Sequence, residues 1–147
     1  MDRLQTQSLY ELDDAAWATE QAQLLREHRW NELDLQNLIE EIEEISNRHR
    51  DALESHLENL IMHRLKQLFQ PERARRSWHL TIQNSAREIR KTIRKRPSLK
   101  PHIQKCFAEV YQDARESASI ETDLPIDQLP QECPPDLHQE ILQMLES

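Results

Sequence analysis

The sequence LQNLIEEIEEISNRHRDALESHLENLIMHRLKQLFQ, residues 35–70, predicts the element around which the rest of this chain is organised. It contains neither proline nor glycine, and its apolar residues recur at the spacing of an amphipathic helix. At 1.5 Å per residue it predicts one helix roughly 54 Å long. Pro71 should end it, because proline disfavours helical backbone in the residue before it. The predicted apolar stripe comprises Leu35, Leu38, Ile39, Ile42, Ile45, Leu53, Leu57, Leu60, Ile61 and Leu68.

Four shorter segments also show helical periodicity. The first starts at an N-cap, Asp13 or Asp14, and ends near residue 28, and the last covers about 135–145. Between them, Ser77 is the expected N-cap of a helix over 78–96, and Ser98 that of a helix reaching about residue 118. Prolines make 122–135 an irregular connection. The sequence therefore predicts an all-α protein, a bundle of four to five helices built on one long central helix, as a single domain over residues 1–147.

Composition excludes several classes of function. The 147 residues include no glycine, although about seven per cent is usual. Glycine-rich phosphate-binding loops and the G-x-S-x-G nucleophile elbow are therefore excluded. No apolar run is long enough to span a membrane, and the N-terminal sequence lacks the pattern of an export signal. Two cysteines are too few for a disulfide framework, which favours a reducing cytoplasm.

Charge is distributed in three blocks. Residues 1–70 carry fifteen acids and seven bases, residues 71–105 two acids and eleven bases, and residues 106–147 ten acids and one base. The basic segment 73–105 includes the candidate binding residues Arg73, Trp78, Arg87, Arg90 and Arg94. Clustered arginines on a helix are typical of phosphate-backbone binding. The alternative, which we favour, is neutralisation of this helix within the molecule by the glutamates of residues 40–44.

Three histidines continue one heptad position of the long helix. His49, His56 and His63 follow Leu35 and Ile42 at seven-residue intervals, about 10.5 Å apart along the axis. Two of them cannot bind the same metal ion unaided, and no Glu-x-x-His motif is present. We expect these histidines to be half-buried and paired with carboxylates or a tyrosine from a neighbouring helix. The alternative is a pH-sensitive seam, because imidazole titrates nearest to neutral pH. His63 is also a candidate binding residue, and its expected partner lies in residues 77–81 or on the fourth helix.

A second group of possible metal ligands occurs late in the chain. His102 and Cys106 lie four residues apart, and Cys133 and His138 lie five apart. Together they offer two nitrogens and two sulfurs to zinc. The spacings match no ordinary zinc ribbon, however, and Cys106 falls on an apolar stripe, where free cysteine acts as a small hydrophobe. The sequence therefore gives no expected metal or cofactor.

Several segments resemble a known family. They are the stretch Leu33–Glu43, His63 with Lys66, Gln70–Arg73, Ser77-Trp78 with Thr81-Ile82, Cys133-Pro134, and Trp17-Ala18 with Leu24–Arg26. Together they resemble the family called domain of unknown function twenty-nine over almost the whole chain. The resemblance implies an all-helical bacterial protein, of a family abundant in cyanobacteria, and it implies no activity. Members commonly carry Lys-Trp near the end of the long helix, where this chain has Lys66-Gln67.

Three functions follow from these features, in order of preference. The first is a cytoplasmic interaction or regulatory module that self-associates or binds a protein partner, without a membrane. Its basis is an apolar stripe longer than the shorter helices can cover. The second is nucleic-acid binding through residues 73–105. The third is a metal-dependent enzyme that uses the seam of His49, His56 and His63.

Overall fold

The computed structural model describes residues 9–146, and helical residues, 3-10 turns included, make up 86% of them. The described part contains no strand. The five longer helices are α1 (Asp14–Arg26), α2 (Leu35–Phe69), α3 (Arg76–Lys95), α4 (Lys100–Thr122) and α5 (Pro135–Glu146). The prediction of an all-α fold with one long helix is confirmed. The interpretation of the N-terminus as lacking an export signal concerns in part residues 1–8, which lie outside the described residues.

Most helix ends follow local sequence. Asp13 is the N-cap of α1, where its carboxylate accepts a hydrogen bond from the Ala16 amide at 3.0 Å. One residue, Gln70, separates the end of α2 from Pro71, which opens a short 3-10 turn. Two predicted caps are wrong: α3 begins before Ser77, and a 3-10 turn that includes Ser98 precedes α4. None of the helices in the described part has an apolar stretch of the length that a bilayer crossing requires.

Among the described residues of this chain, which has no glycine, two backbone positions have the left-handed conformation that favours glycine. His28 and Asp123 have positive φ angles of 58° and 60°, and each follows the end of a helix. Glycine usually occupies such left-handed positions. Aspartate and histidine tolerate this region better than most other residues. The chain therefore ends helices with the left-handed geometry that other proteins obtain from glycine.

The chain divides into two compact units, residues 1–47 and 48–147. In the first, two hydrogen bonds join α1 to the start of α2: the Trp17 indole donates to Asp34 Oδ2 at 3.0 Å, and the Asp34 amide donates to Gln21 Oε1 at 2.8 Å. Within the start of α2, Asn37 donates to Asp34 Oδ2 at 2.7 Å. Trp17, Gln21 and Leu24 are buried. Asp34 thus links the two helices through both its side chain and its backbone.

The second unit has a continuous apolar core. The core collects side chains from the second part of α2 and from α3, α4 and α5, including Leu53, Leu57, Leu60, Ile61, Leu65, Ile82, Ile89, Phe107, Val110 and Ile141. Ala86, Ala114 and Ala118 are fully buried, and small residues at such positions let helices approach closely. The prediction of one domain over residues 1–147 is not tested by this division and stays a prediction.

The proline-containing connection before α5 is held to α4. The Tyr111 hydroxyl donates to the Pro130 carbonyl at 2.6 Å, and Arg115 donates to the carbonyls of Leu129 and Ile126 at 3.2 and 3.0 Å. These bonds satisfy backbone acceptors that an irregular segment cannot pair internally. The predicted irregular connection is therefore present, with one 3-10 turn at Ile126–Gln128.

Candidate functional site

Four apolar side chains lie exposed along the first part of α2. Leu35, Ile39, Ile42 and Ile45 are each 53–66% exposed, and their spacing of four, three and three residues places them on one side of the helix. From here on, the apolar stripe means these four residues only, which are part of the longer stripe predicted from the sequence. Single exposed apolar residues need no explanation, but a contiguous row of this kind marks an interaction surface. The sequence predicted a stripe longer than the shorter helices can cover, and these four residues, like Leu68, are exposed members of it, whereas Leu53, Leu57, Leu60 and Ile61 are buried.

Charged residues border the apolar stripe in a fixed order. Glutamates occupy positions 40, 41, 43 and 44, and Arg48 and Arg50 follow, all exposed. Glu41 accepts a hydrogen bond from the Tyr10 hydroxyl at 2.6 Å, which, more than the nearby negative charge, raises the pKa of Tyr10 to about 12. This part of α2 therefore combines an apolar row with an acidic end and a basic end.

The histidines of α2 are half-buried, as the sequence predicted, but no metal-ligating group among the described residues contains them. Nδ1 of His63 lies 2.8 Å from the carbonyl oxygen of Asn59, one turn earlier on the same helix. The expected partner in residues 77–81 or on the fourth helix is therefore wrong, because the backbone of α2 itself supplies the acceptor. This geometry favours a structural role for His63.

The basic residues singled out from sequence lie in different environments. Arg73 is exposed in the 3-10 turn before α3, and Arg94 is exposed on α3. Arg87 is exposed and donates to Asn84 Oδ1 at 3.1 Å, whereas Arg90 is half-buried and donates to the Met144 carbonyl at 2.8 Å. Trp78 is buried beneath the Lys66 ammonium, 4.6 Å from its ring centroid. The structure thus buries Trp78 and leaves Arg73, Arg87 and Arg94 exposed to solvent.

Carboxylates do not neutralise α3 directly. In the described part of the chain, ion pairs involve Arg29, Arg64, Lys66 and His102, and none involves a base of α3. The predicted neutralisation of this helix within the molecule by the glutamates of residues 40–44 therefore involves no ion pair in the described part, and it stays a prediction. Arg90, Arg94 and Lys100 instead line a cleft of about 740 Å³ whose other walls include Ile93 and Leu145. Sequence reasoning missed the cleft because α5 supplies one wall of it.

A compact group of possible metal ligands lies between α2 and α4. His102 Nε2 lies 2.8 Å from Glu54 Oε1, and ligand atoms of Glu54, His102 and Cys106 all lie within 4.8 Å of one another. Sequence analysis paired His102 and Cys106 with Cys133 and His138 instead. The structure separates those two: His138 stacks on Phe107 with ring centroids 4.0 Å apart, and Cys133 packs beside the core. Sequence reasoning did not predict Glu54 as a member of this group, because no motif distinguishes it from the other glutamates of α2.

These features define an all-helical protein with a long helix, an exposed apolar stripe and a separate basic surface. A family model described as "Domain of unknown function DUF29" matches residues 9–144. The chain therefore belongs to the DUF29 family, as the resemblance indicated. No curated protein and no solved structure matches it.

Proposed function

We propose that this protein is a bacterial, cytoplasmic interaction module that self-associates through the apolar stripe of α2. The observation that carries the proposal is the exposure of Leu35, Ile39, Ile42 and Ile45 in one row. Heptad-like rows of this kind pair helices in coiled coils and bundles. A second copy of the chain supplies a matching row, and two-fold pairing is the commonest form of oligomer.

The stripe alone is expected to give a weak affinity, with a dissociation constant of about 1 mM or higher. Full burial of an isoleucine contributes roughly 2 kcal/mol, so a half-exposed side chain gains about 1 kcal/mol. Four such side chains from each copy give on the order of 8 kcal/mol before the cost of association, which is estimated at 4 kcal/mol or more. The stripe alone therefore supports a reversible dimer rather than a permanent one, and the charges beside it affect its stability.

The geometry of matched stripes fixes the register of the pair. In an antiparallel pair the two-fold axis then falls close to residue 40, so that Leu35 of one copy faces Ile45 of the other. In that arrangement, and in a parallel pair in register, the glutamates at positions 40, 41, 43 and 44 of the two copies lie near one another. Like charges oppose association, so these glutamates limit the affinity that the stripe provides.

Sedimentation velocity tests the association. We expect the wild type at high concentration to sediment as a species of twice 17.6 kDa, and Ile42→Glu to sediment as a monomer with unchanged helix content. Ile120→Glu is the matched control, because Ile120 on α4 is 70% exposed and lies outside the stripe. A wild type that stays monomeric at every concentration, or an equal effect of both variants, would contradict the proposal.

A second candidate function is binding of a polyanion such as RNA, favoured by the bases of α3, which form no ion pair with any carboxylate of residues 9–146. We expect binding of single-stranded RNA that weakens steeply with salt, because protein cations release counterions from phosphates. Replacing Arg87, Arg94 and Arg96 with alanine should reduce the slope of log affinity against log salt by about one for each arginine that binds a phosphate. Arg29→Ala is the control, since Arg29 pairs with Glu27 and Glu32. Undetectable binding at low salt would exclude this function.

A further inference from the structure

Two helices of the second unit bring three different metal-ligating groups together. His102 and Cys106 lie four residues apart on α4, so they share one side of the helix. Glu54 comes from α2, 48 residues away in sequence, and its Oε1 lies 2.8 Å from His102 Nε2. The three ligand atoms all lie within 4.8 Å of one another. Imidazole nitrogen, thiol sulfur and carboxylate oxygen therefore converge on one point.

This separation is close to that of a tetrahedral zinc site. Zinc binds sulfur at about 2.3 Å and nitrogen or oxygen at about 2.0–2.2 Å, so neighbouring ligand atoms lie roughly 3.3–3.6 Å apart. Small rotations of the side chains close the difference, since Glu54 and His102 are only half-buried. Cys106 is buried and fixed on the apolar side of α4, which gives the group one rigid member.

We propose that Glu54, His102 and Cys106 bind a divalent transition-metal ion, with Zn²⁺ the expected ion. A sulfur ligand and an imidazole select zinc or cobalt over magnesium and calcium, which prefer oxygen ligands. On binding, the Cys106 thiol releases its proton to solvent. His102 Nε2 also gives up the proton that it donates to Glu54, and the neutral imidazole then carries its proton on Nδ1, so that Nε2 binds the metal in place of its contact with Glu54. Glu54 then ligates through a carboxylate oxygen, and a fourth position is left for water or another side chain.

The surroundings of the site favour a cation. Glu54 also lines an adjoining cleft of about 280 Å³ with four more carboxylates, those of Asp51, Glu58, Glu109 and Asp113. Negative charge of this kind favours a divalent cation, because a bound ion neutralises both a thiolate and a carboxylate.

The alternative explanation is structural. In it, His102 and Glu54 form an ordinary hydrogen bond, and Cys106 is an inert thiol that donates to the Ile103 carbonyl at 3.6 Å. That explanation accounts for the pair, and it places the thiol beside the pair only as a small apolar side chain of the core. The two explanations differ in one measurable respect, which is a bond between the Cys106 sulfur and an added metal ion.

Cobalt titration of the full chain tests the proposal. The protein is purified without a polyhistidine tag, treated with a chelator, and titrated anaerobically with Co²⁺. We expect one equivalent to produce a sulfur-to-cobalt charge-transfer band and the intense visible bands of a tetrahedral ion, and Zn²⁺ to displace both. Cys106→Ser should lose the charge-transfer band, and Glu54→Gln and His102→Ala should each weaken zinc binding more than tenfold.

Cys133→Ser is the matched control. Cys133 is the other free cysteine, and burial raises its thiol pKa to about 11. This variant should keep the charge-transfer band and the wild-type affinity. Circular dichroism checks that each variant folds. If Cys106→Ser does not fold, the weaker zinc binding expected of Glu54→Gln still tests the site. The proposal is overturned if wild type gives no charge-transfer band, or if Cys133→Ser removes the band and Cys106→Ser keeps it.

Discussion

Leu53→Glu is expected to abolish the cooperative unfolding transition of the second unit. Leu53 is fully buried in the core beside Leu57. A carboxylate there must be desolvated without a partner or displace its neighbours, and either costs more than about 4 kcal/mol. Since a typical domain is stable by only about 5–15 kcal/mol, the loss is close to the whole stability. Thermal melting followed by circular dichroism should show a low helical signal and no sharp transition.

The same substitution at Ile42 provides the control for Leu53→Glu. Both residues belong to α2 and to one apolar pattern in the sequence, but Ile42 is exposed. Ile42→Glu should therefore melt like the wild type when both are compared as monomers. Equal destabilisation by the two variants would show that the apolar stripe is buried within the folded chain, and it would also remove the proposed dimer surface.

Removal of Glu121 is expected to destabilise the protein more than removal of its partner Lys66. Lys66 is only 7% exposed, and its ammonium lies 3.2 Å from Glu121 Oε1 and 4.6 Å from the Trp78 ring centroid. Glu121→Ala leaves this buried ammonium without its carboxylate partner. The expected loss of stability is about 2 kcal/mol, which is smaller than for a fully buried ion pair because Glu121 is exposed. Lys66→Met keeps the stem and removes the charge, so it should cost less than about 1 kcal/mol.

Urea denaturation of both single variants and of the double variant measures the coupling between Lys66 and Glu121. A matched control is the pair of Arg64 and Glu140, which lie 3.1 Å apart with a better-solvated cation. Glu140→Ala should cost less than about 1 kcal/mol, as for surface ion pairs in general. If Lys66→Met costs more than Glu121→Ala, the hydrogen-bonded ammonium itself stabilises the fold and the desolvation argument is wrong.

The long helix has a different environment in each half, and this difference underlies both proposals. Its second half supplies the core of the second unit and also presents Glu54 toward α4. Its first half carries the apolar stripe and the charges that border it. One continuous helix can therefore provide a folded scaffold and an association surface. The proposed metal site and the proposed dimer use different residues, so their experiments succeed or fail separately.

Local sequence predicted the helices well, because helix formation depends on neighbours within about four residues. Asp13 accepts the hydrogen bond expected of an N-cap, and Pro71 follows the last residues of α2. The position of Ser77 shows the limit of such reasoning. A good capping side chain does not fix a helix start when the chain can continue helical geometry upstream, and α3 begins at Arg76.

The sequence by itself determined the fold class, the length of α2 and the residues that share a face of each helix, because these follow from periodicity and from breakers such as Pro71. Only the tertiary structure decided which part of a shared face is covered. Ile42 and Leu53 fit the same pattern, yet one is exposed and the other buried. Only the tertiary structure placed Glu54 beside His102 and Cys106, because that contact depends on the register between two helices and not on spacing within either one.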